Sequence, residues 1–170
     1  DPELLGAGIT SAEHDSLSFS YWVDSNDDGN YADVIFRLVS YSHENDKFLI
    51  WEGLVKPPLA DIIVAENIDK LGFEYLYWDP DDDVWKWSIN QQNIMDVLGV
   101  TADKALERIR AVKIIMLGST RESAFSGTDQ TAYQPHFEDP DAPAENWTPE
   151  INSGVKRMMS VIVECRNNQG

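Results

Sequence analysis

Apolar and polar positions alternate along most of this chain, and the alternation predicts strands. In "SLSFSYWV", Leu17, Phe19, Tyr21 and Val23 alternate with Ser16, Ser18, Ser20 and Trp22, giving one apolar face and one mostly wet face. "DVIFRLVSYS" sets Val34, Phe36 and Leu38 opposite Arg37. "FLIWEGLV" follows the turn "HENDK" and stops at "KPP", because proline has no N–H to give a ladder. Three strands with short polar connections predict an antiparallel meander. The middle of "PLADIIVAENIDKLGFEYLYW" reads as a short bridge or helical turn before the strand "FEYLYW". The turn "DPDDD" then joins that strand to "VWKWSI" as a hairpin.

Further along, the period changes. "NQQNIMDVLGVTADKALER" places Ile94, Val97 and Leu98 at helical spacing, with Gly99 as a stop. "RIRAVKIIMLGS" is more continuously apolar, as a central strand would be. "VKRMMSVIVECRN" closes the chain as another strand, its period of two placing Met159, Val161, Val163 and Cys165 on the core face. Residues 118–154 are rich in Ser, Thr, Asp, Pro and Gly and predict a long surface loop, a common form for binding elements and lids. No internal repeat and no second core is visible. The fold class expected is α+β, predominantly antiparallel β, with a meander and one or two short helices, in a single domain over residues 1–170.

Charge narrows the partners. Thirty acidic residues stand against thirteen basic ones, a net of −17. Such a surface repels phosphate backbones and anionic membranes, so nucleic acid is not an expected partner, and it recruits divalent cations. One cysteine, Cys165, leaves no internal disulfide and no multi-cysteine metal site; its strand pattern predicts a buried thiol. The sequence shows no apolar run of the ~18 residues that a membrane span needs. It has no initiator Met and opens on "DPELLGAGI", the start expected of a piece cut from a longer protein.

The densest candidate chemistry is "VDSNDDGNYADVIF". Asp24, Asn26 and Asp28 hold the first, third and fifth places of a D-x-N-x-D-G pattern, Gly29 the sixth and Asn30 the seventh. Calcium takes six to eight oxygens, and alternate residues of a tight loop can aim theirs at one centre. The twelfth place is Ile35 rather than a bidentate acid, Asp33 is the nearest carboxylate, and the flanks are strands, so this is no EF-hand. Two readings stand open. One is a structural calcium site of Asp24, Asn26, Asp28, Asn30 and Asp33; the other is a solvated hairpin turn with Asx hydrogen bonds. Asp79, Asp81, Asp82 and Asp83 raise the same question without a glycine to organise them.

Catalysis is not expected. Glycoside hydrolysis needs two carboxylates across a cleft, one with a raised pKa, whereas these acids cluster in turns where water would keep them ionised. His14, His43 and His136 are scattered through polar segments, and no serine sits in a nucleophile elbow. Six tryptophans offer a different possibility. Trp85 and Trp87 share one strand face and could form a sugar-binding platform, although most tryptophans of this kind fill cores or cover sheets. "NWT" at Asn146 matches a glycosylation sequon.

Four segments, taken in order, resemble a known family. "DPELLGAGITSAEHDSLSFSYWVDSNDDG", "VAENIDKLGFEYLYWD", "LERIRAVKIIMLGSTRE" and "GVKRMMSVIVECRN" are similar to successive stretches of PilW-like minor pilins, and also of the J-type pseudopilins of type II secretion. The resemblance implies a pilin-like head domain whose N-terminal membrane helix lies outside this sequence. It further implies a non-enzymatic subunit that helps to initiate or cap a type IV pilus or a pseudopilus. Its partners would be other minor pilins or pseudopilins and the major pilin, with membrane contact only through the missing helix. Its head would be periplasmic before assembly and on the filament afterwards. The long 118–154 loop and the density of Trp and acid depart from the family pattern. The competing expectation is a secreted, calcium-stabilised carbohydrate-binding β-domain.

Overall fold

The computed structural model describes residues 8–24, 34–44, 47–53, 62–119, 133–142, 146–147 and 156–165. The first five strands, β1 (Gly8–Ala12), β2 (Leu17–Asp24), β3 (Val34–Glu44), β4 (Lys47–Gly53) and β5 (Ile62–Glu66), form one sheet in chain order. All its neighbours are antiparallel, with β2 and β3 in continuous register from Leu17↔Tyr41 to Asp24↔Val34. The expected meander is therefore present, and β1 adds a strand that its short, weakly apolar sequence did not announce. A second sheet has the order β7–β6–β8–β9, with β6 (Ile68–Asp79), β7 (Val84–Ser88), β8 (Ile109–Ser119) and β9 (Lys156–Glu164). Between β7 and β8 lie α1 (Gln91–Leu98) and α2 (Ala102–Arg108). The fold is α+β and mainly antiparallel, as the alternation predicts. No helix among the described residues is long and apolar enough to cross a membrane.

The expected bridge before "FEYLYW" is instead a junction of two strands. Asn67, at φ 61°, turns the chain between β5 and β6, and β6 begins well ahead of Phe73. Asn adopts this left-handed conformation more readily than most residues, so a single residue suffices for the change of sheet. The helix α1 ends at Gly99, where the sequence places its stop. Asn90 caps α1 by accepting from the Asn93 N–H at 2.8 Å, and Gly99, at φ 62°, ends it by donating to the Met95 carbonyl.

The main core lies against one face of the second sheet. Phe73, Tyr75 and Tyr77 of β6 are buried there with Ile94 of α1, Ala105 and Leu106 of α2, and Ala12 and Leu17 of the first sheet. The β1–β2 turn docks directly on β6: the Phe73 N–H donates to the His14 carbonyl at 2.8 Å. The Tyr75 hydroxyl donates to the Glu13 carbonyl at 2.7 Å, and burial pushes its pKa above the ordinary phenol range. A smaller cluster covers the opposite face, where Ile115 and Leu117 of β8 meet Trp147, Phe137 and Tyr133. Segments 133–142 and 146–147 are thus packed chain, joined by a Tyr133↔Trp147 bridge.

One expectation fails at the end of the sheet. Met159, Val161 and Val163 of β9 were expected on the core face, but each is about half exposed, and so is Ile162 on the other face. The covering helices and first sheet reach β8, where Ile114 and Met116 are already only partly buried, and do not extend over β9. Cys165, just past the strand, does pack against the main core; burial pushes its thiol up, while Arg110 pulls the other way.

Candidate functional site

The β6–β7 hairpin builds one wall of the site. Asp79 accepts from the N–H groups of Asp81 and Asp82 at 3.0 and 3.4 Å, an Asx arrangement that folds "DPDDD" into a turn. Its other oxygen meets the Lys86 ammonium at 2.7 Å, and Lys86 also contacts Asp82. The cation that gathers these carboxylates is therefore the protein's own lysine. The hydrogen bond from Lys86 holds Asp79 below the usual carboxylate range, and Asp79 and Asp82 together hold Lys86 above the usual lysine range.

This pairing has a pH signature. Because the folded pKa of Asp79 lies below its ordinary 3.8, its contribution is complete above that value and is lost as pH falls through the folded pKa. Lys86→Met should therefore lower stability at pH 7 and flatten the further loss on acidification below about pH 4. Urea unfolding of both proteins at pH 7 and pH 3 reads the difference. An unchanged gap between the two pH values would show that the pair has no part in acid stability.

The second wall is held by two buried acids, Glu74 and Asp139; Asp69 and Asp79 are buried too, contrary to the expectation that the acids sit in water. Glu74 Oε1 accepts from the N–H groups of Glu138 and Asp139 at 2.6 and 3.0 Å, and its Oε2 lies 3.2 Å from Lys113 Nζ. Lys113 also donates to the His136 carbonyl at 2.6 Å and stands 6.0 Å from the centre of the Trp87 ring. Asp139 in turn accepts from the N–H groups of Ile89 and Asp141. A lysine within the apolar run "AVKIIML" was the available sequence signal, since a buried ammonium demands a buried counter-charge. What the sequence did not supply was the partner, Glu74, which faces Lys113 from the neighbouring strand β6.

Between these walls, α1 and the 138–141 segment flank the outer side of β7 and leave a cleft of about 560 Å³. Trp85, Trp87, Asp96, Val97, Glu138 and Asp141 are among its lining residues. Trp85 is about half exposed and meets Trp78 edge-on at 5.1 Å between ring centres; Trp87 is half-buried. The structure thus brings together the two tryptophans singled out from the sequence and adds carboxylates from α1 and from a segment some fifty residues downstream. Val97, which helical spacing groups with Ile94 and Leu98, is exposed at this cleft. Of the other predicted residues, Asp24 ends β2, while Asn26, Asp28, Asn30 and Asp33 lie outside the described residues. Among the described residues no three His, Cys, Asp or Glu side chains come together as a metal site. Chemically, the cleft offers aromatic surface and carboxylate acceptors.

No family model and no curated protein matches this chain. Its fold is that of a type IV pilin-like protein. The likeness is to the type IV-like pilin TTHA1219 from Thermus thermophilus, with a TM-score of 0.50 and 13% sequence identity, covering 97% of this chain and 85% of that one. At that identity the likeness establishes the fold.

Proposed function

We propose that this chain is the head of a non-enzymatic type IV pilin-like subunit, a minor pilin or pseudopilin that helps to initiate or cap a pilus or a type II secretion pseudopilus. The observation that carries the reading is the pilin-like architecture running over 97% of the chain. The four sequence segments that resemble PilW-like and J-type proteins support the finer assignment. On this reading the subunit is anchored in the inner membrane with its head in the periplasm. It later joins the filament beside other minor pilins or pseudopilins and the major pilin.

The gene's codons upstream of Asp1 test the reading. A prepilin processing site followed by about 20 apolar residues is the expected result. A cleavable secretory signal joined directly to the head would overturn it and favour the competing carbohydrate-binding domain, whose platform would be Trp85 and Trp87. The reading also includes a structural calcium ion on Asp24, Asn26, Asp28, Asn30 and Asp33, supported by the D-x-N-x-D-G spacing. Calcium titration should release or absorb heat, and Asp28→Ala should abolish both that heat and any calcium-dependent rise in Tm. A silent titration removes the ion from the proposal.

A further inference from the structure

The cleft beside β7 has a chemistry that selects its occupant. The one cation among its lining residues is already engaged, and so is its serine. Lys86 is held by Asp79 and Asp82, and Ser88 donates to the Asn90 carbonyl at 3.1 Å. Its acceptors are open. Asp141 and Asp96 are exposed; among the described residues the Asp141 carboxylate forms no ion pair and Asp96 accepts from Gln92 alone. Glu138 is exposed too, and touches Lys113 at a long 3.3 Å. A glycan hydroxyl both donates and accepts, whereas a guanidinium only donates, so a wall of carboxylates favours the guanidinium. The acids are spread along the cleft and not gathered round a point, which suits an extended organic cation better than a metal ion.

The aromatic wall agrees. Arginine stacks its planar group on tryptophan, and half of Trp85 is open to receive it. The protein already makes such an arrangement internally: Lys113 stands over Trp87 while contacting the carboxylates of Glu74 and Glu138. Beyond contact range, the net charge of −17 draws basic segments toward the surface and discourages acidic ones. Among the described residues β7 is also the last strand on its side of the sheet, so an extended backbone could lie along it.

We propose that this cleft binds an arginine-bearing extended segment of a partner protein, the guanidinium lying on Trp85 between Asp96 and Asp141. The inference stands on the cleft alone and does not require the partner to be a filament subunit.

The probe is the acetylated, amidated pentapeptide Gly-Gly-Arg-Gly-Gly, with a citrulline twin of equal shape and no charge. The arginine peptide should shift the indole N–H resonances of Trp85 and Trp87 saturably, with the citrulline twin at least about ten-fold weaker. Asp141→Asn and Asp96→Asn should each weaken binding about three-fold, and Trp85→Ala about ten-fold, by calorimetry. All three positions are exposed, so the variants should keep the wild-type fold, checked by far-UV circular dichroism. Equal response to both peptides, no response at millimolar concentration, or a shift given only by a neutral oligosaccharide would each overturn the proposal. The wild-type comparison of the two peptides decides it even if a variant misfolds.

Discussion

Lys156→Met should destabilise the protein by about 3–5 kcal/mol, among the largest effects of any single substitution here. Lys156 and Asp69 are both fully buried, with Nζ and Oδ2 2.7 Å apart, and Asp69 Oδ1 has no hydrogen-bond partner among the described residues. Removing the ammonium leaves a carboxylate in a dry site, and that solitary charge, more than the lost attraction, sets the cost. For a chain of this size the melting temperature should fall by roughly 10 °C. The double variant Asp69→Leu with Lys156→Met removes both charges and should recover most of the loss, since apolar replacements of buried pairs are often neutral or stabilising by about 1–4 kcal/mol. Urea denaturation of the three proteins reads the pattern. A single variant within about 1 kcal/mol of wild type would show that water reaches the pair.

Trp147→Ala should cost about 3–5 kcal/mol, the usual range for emptying an aromatic site in a core. The indole is buried against Ile115 and Leu117 and meets Phe137 edge-on at 6.2 Å. It also lies on Gly72, where a Cβ would come within 3.1 Å of Cζ2 and 3.2 Å of Cη2. Gly72→Ala should therefore cost about 1–3 kcal/mol in the wild type through overpacking. In the Trp147→Ala background the same change should be nearly free, because the ring it would press on is gone. Additive costs in that double-mutant cycle would mean that Gly72 is required for its backbone and not for its lack of a side chain.

Most of the strand layout was legible because these strands have one dry face and one wetter face, which period two reports directly. The hairpin at Asp79 and the helix stop at Gly99 were legible because each depends on local turn chemistry. Other features were hidden for physical reasons. β1 is short and buries few large side chains, and the change of sheet at Asn67 turns on one residue's dihedral angle. Glu74 and Lys113 face each other across neighbouring strands, and Asp69 meets Lys156 from far along the chain, so no sequence window contains either pair. The cleft was half legible. Trp85 and Trp87 stand two residues apart in one strand, whereas Asp96, Glu138 and Asp141 join them only through folding. β9 misled because alternation reports where a face could be covered, not how far the cover extends.

That uncovered ribbon bears on how the protein behaves in concentrated solution. Met159, Val161, Ile162 and Val163 line a border strand whose outer backbone groups have no strand partner among the described residues, a combination that invites one molecule to zip onto another. Mutual repulsion between strongly anionic copies is the force that opposes this, and it fades as acidity approaches the isoelectric point near 4.3. Colloidal behaviour and protonation are thus coupled: the same carboxylates that keep copies apart at neutral pH release that restraint in acid, when the sticky seam is least guarded.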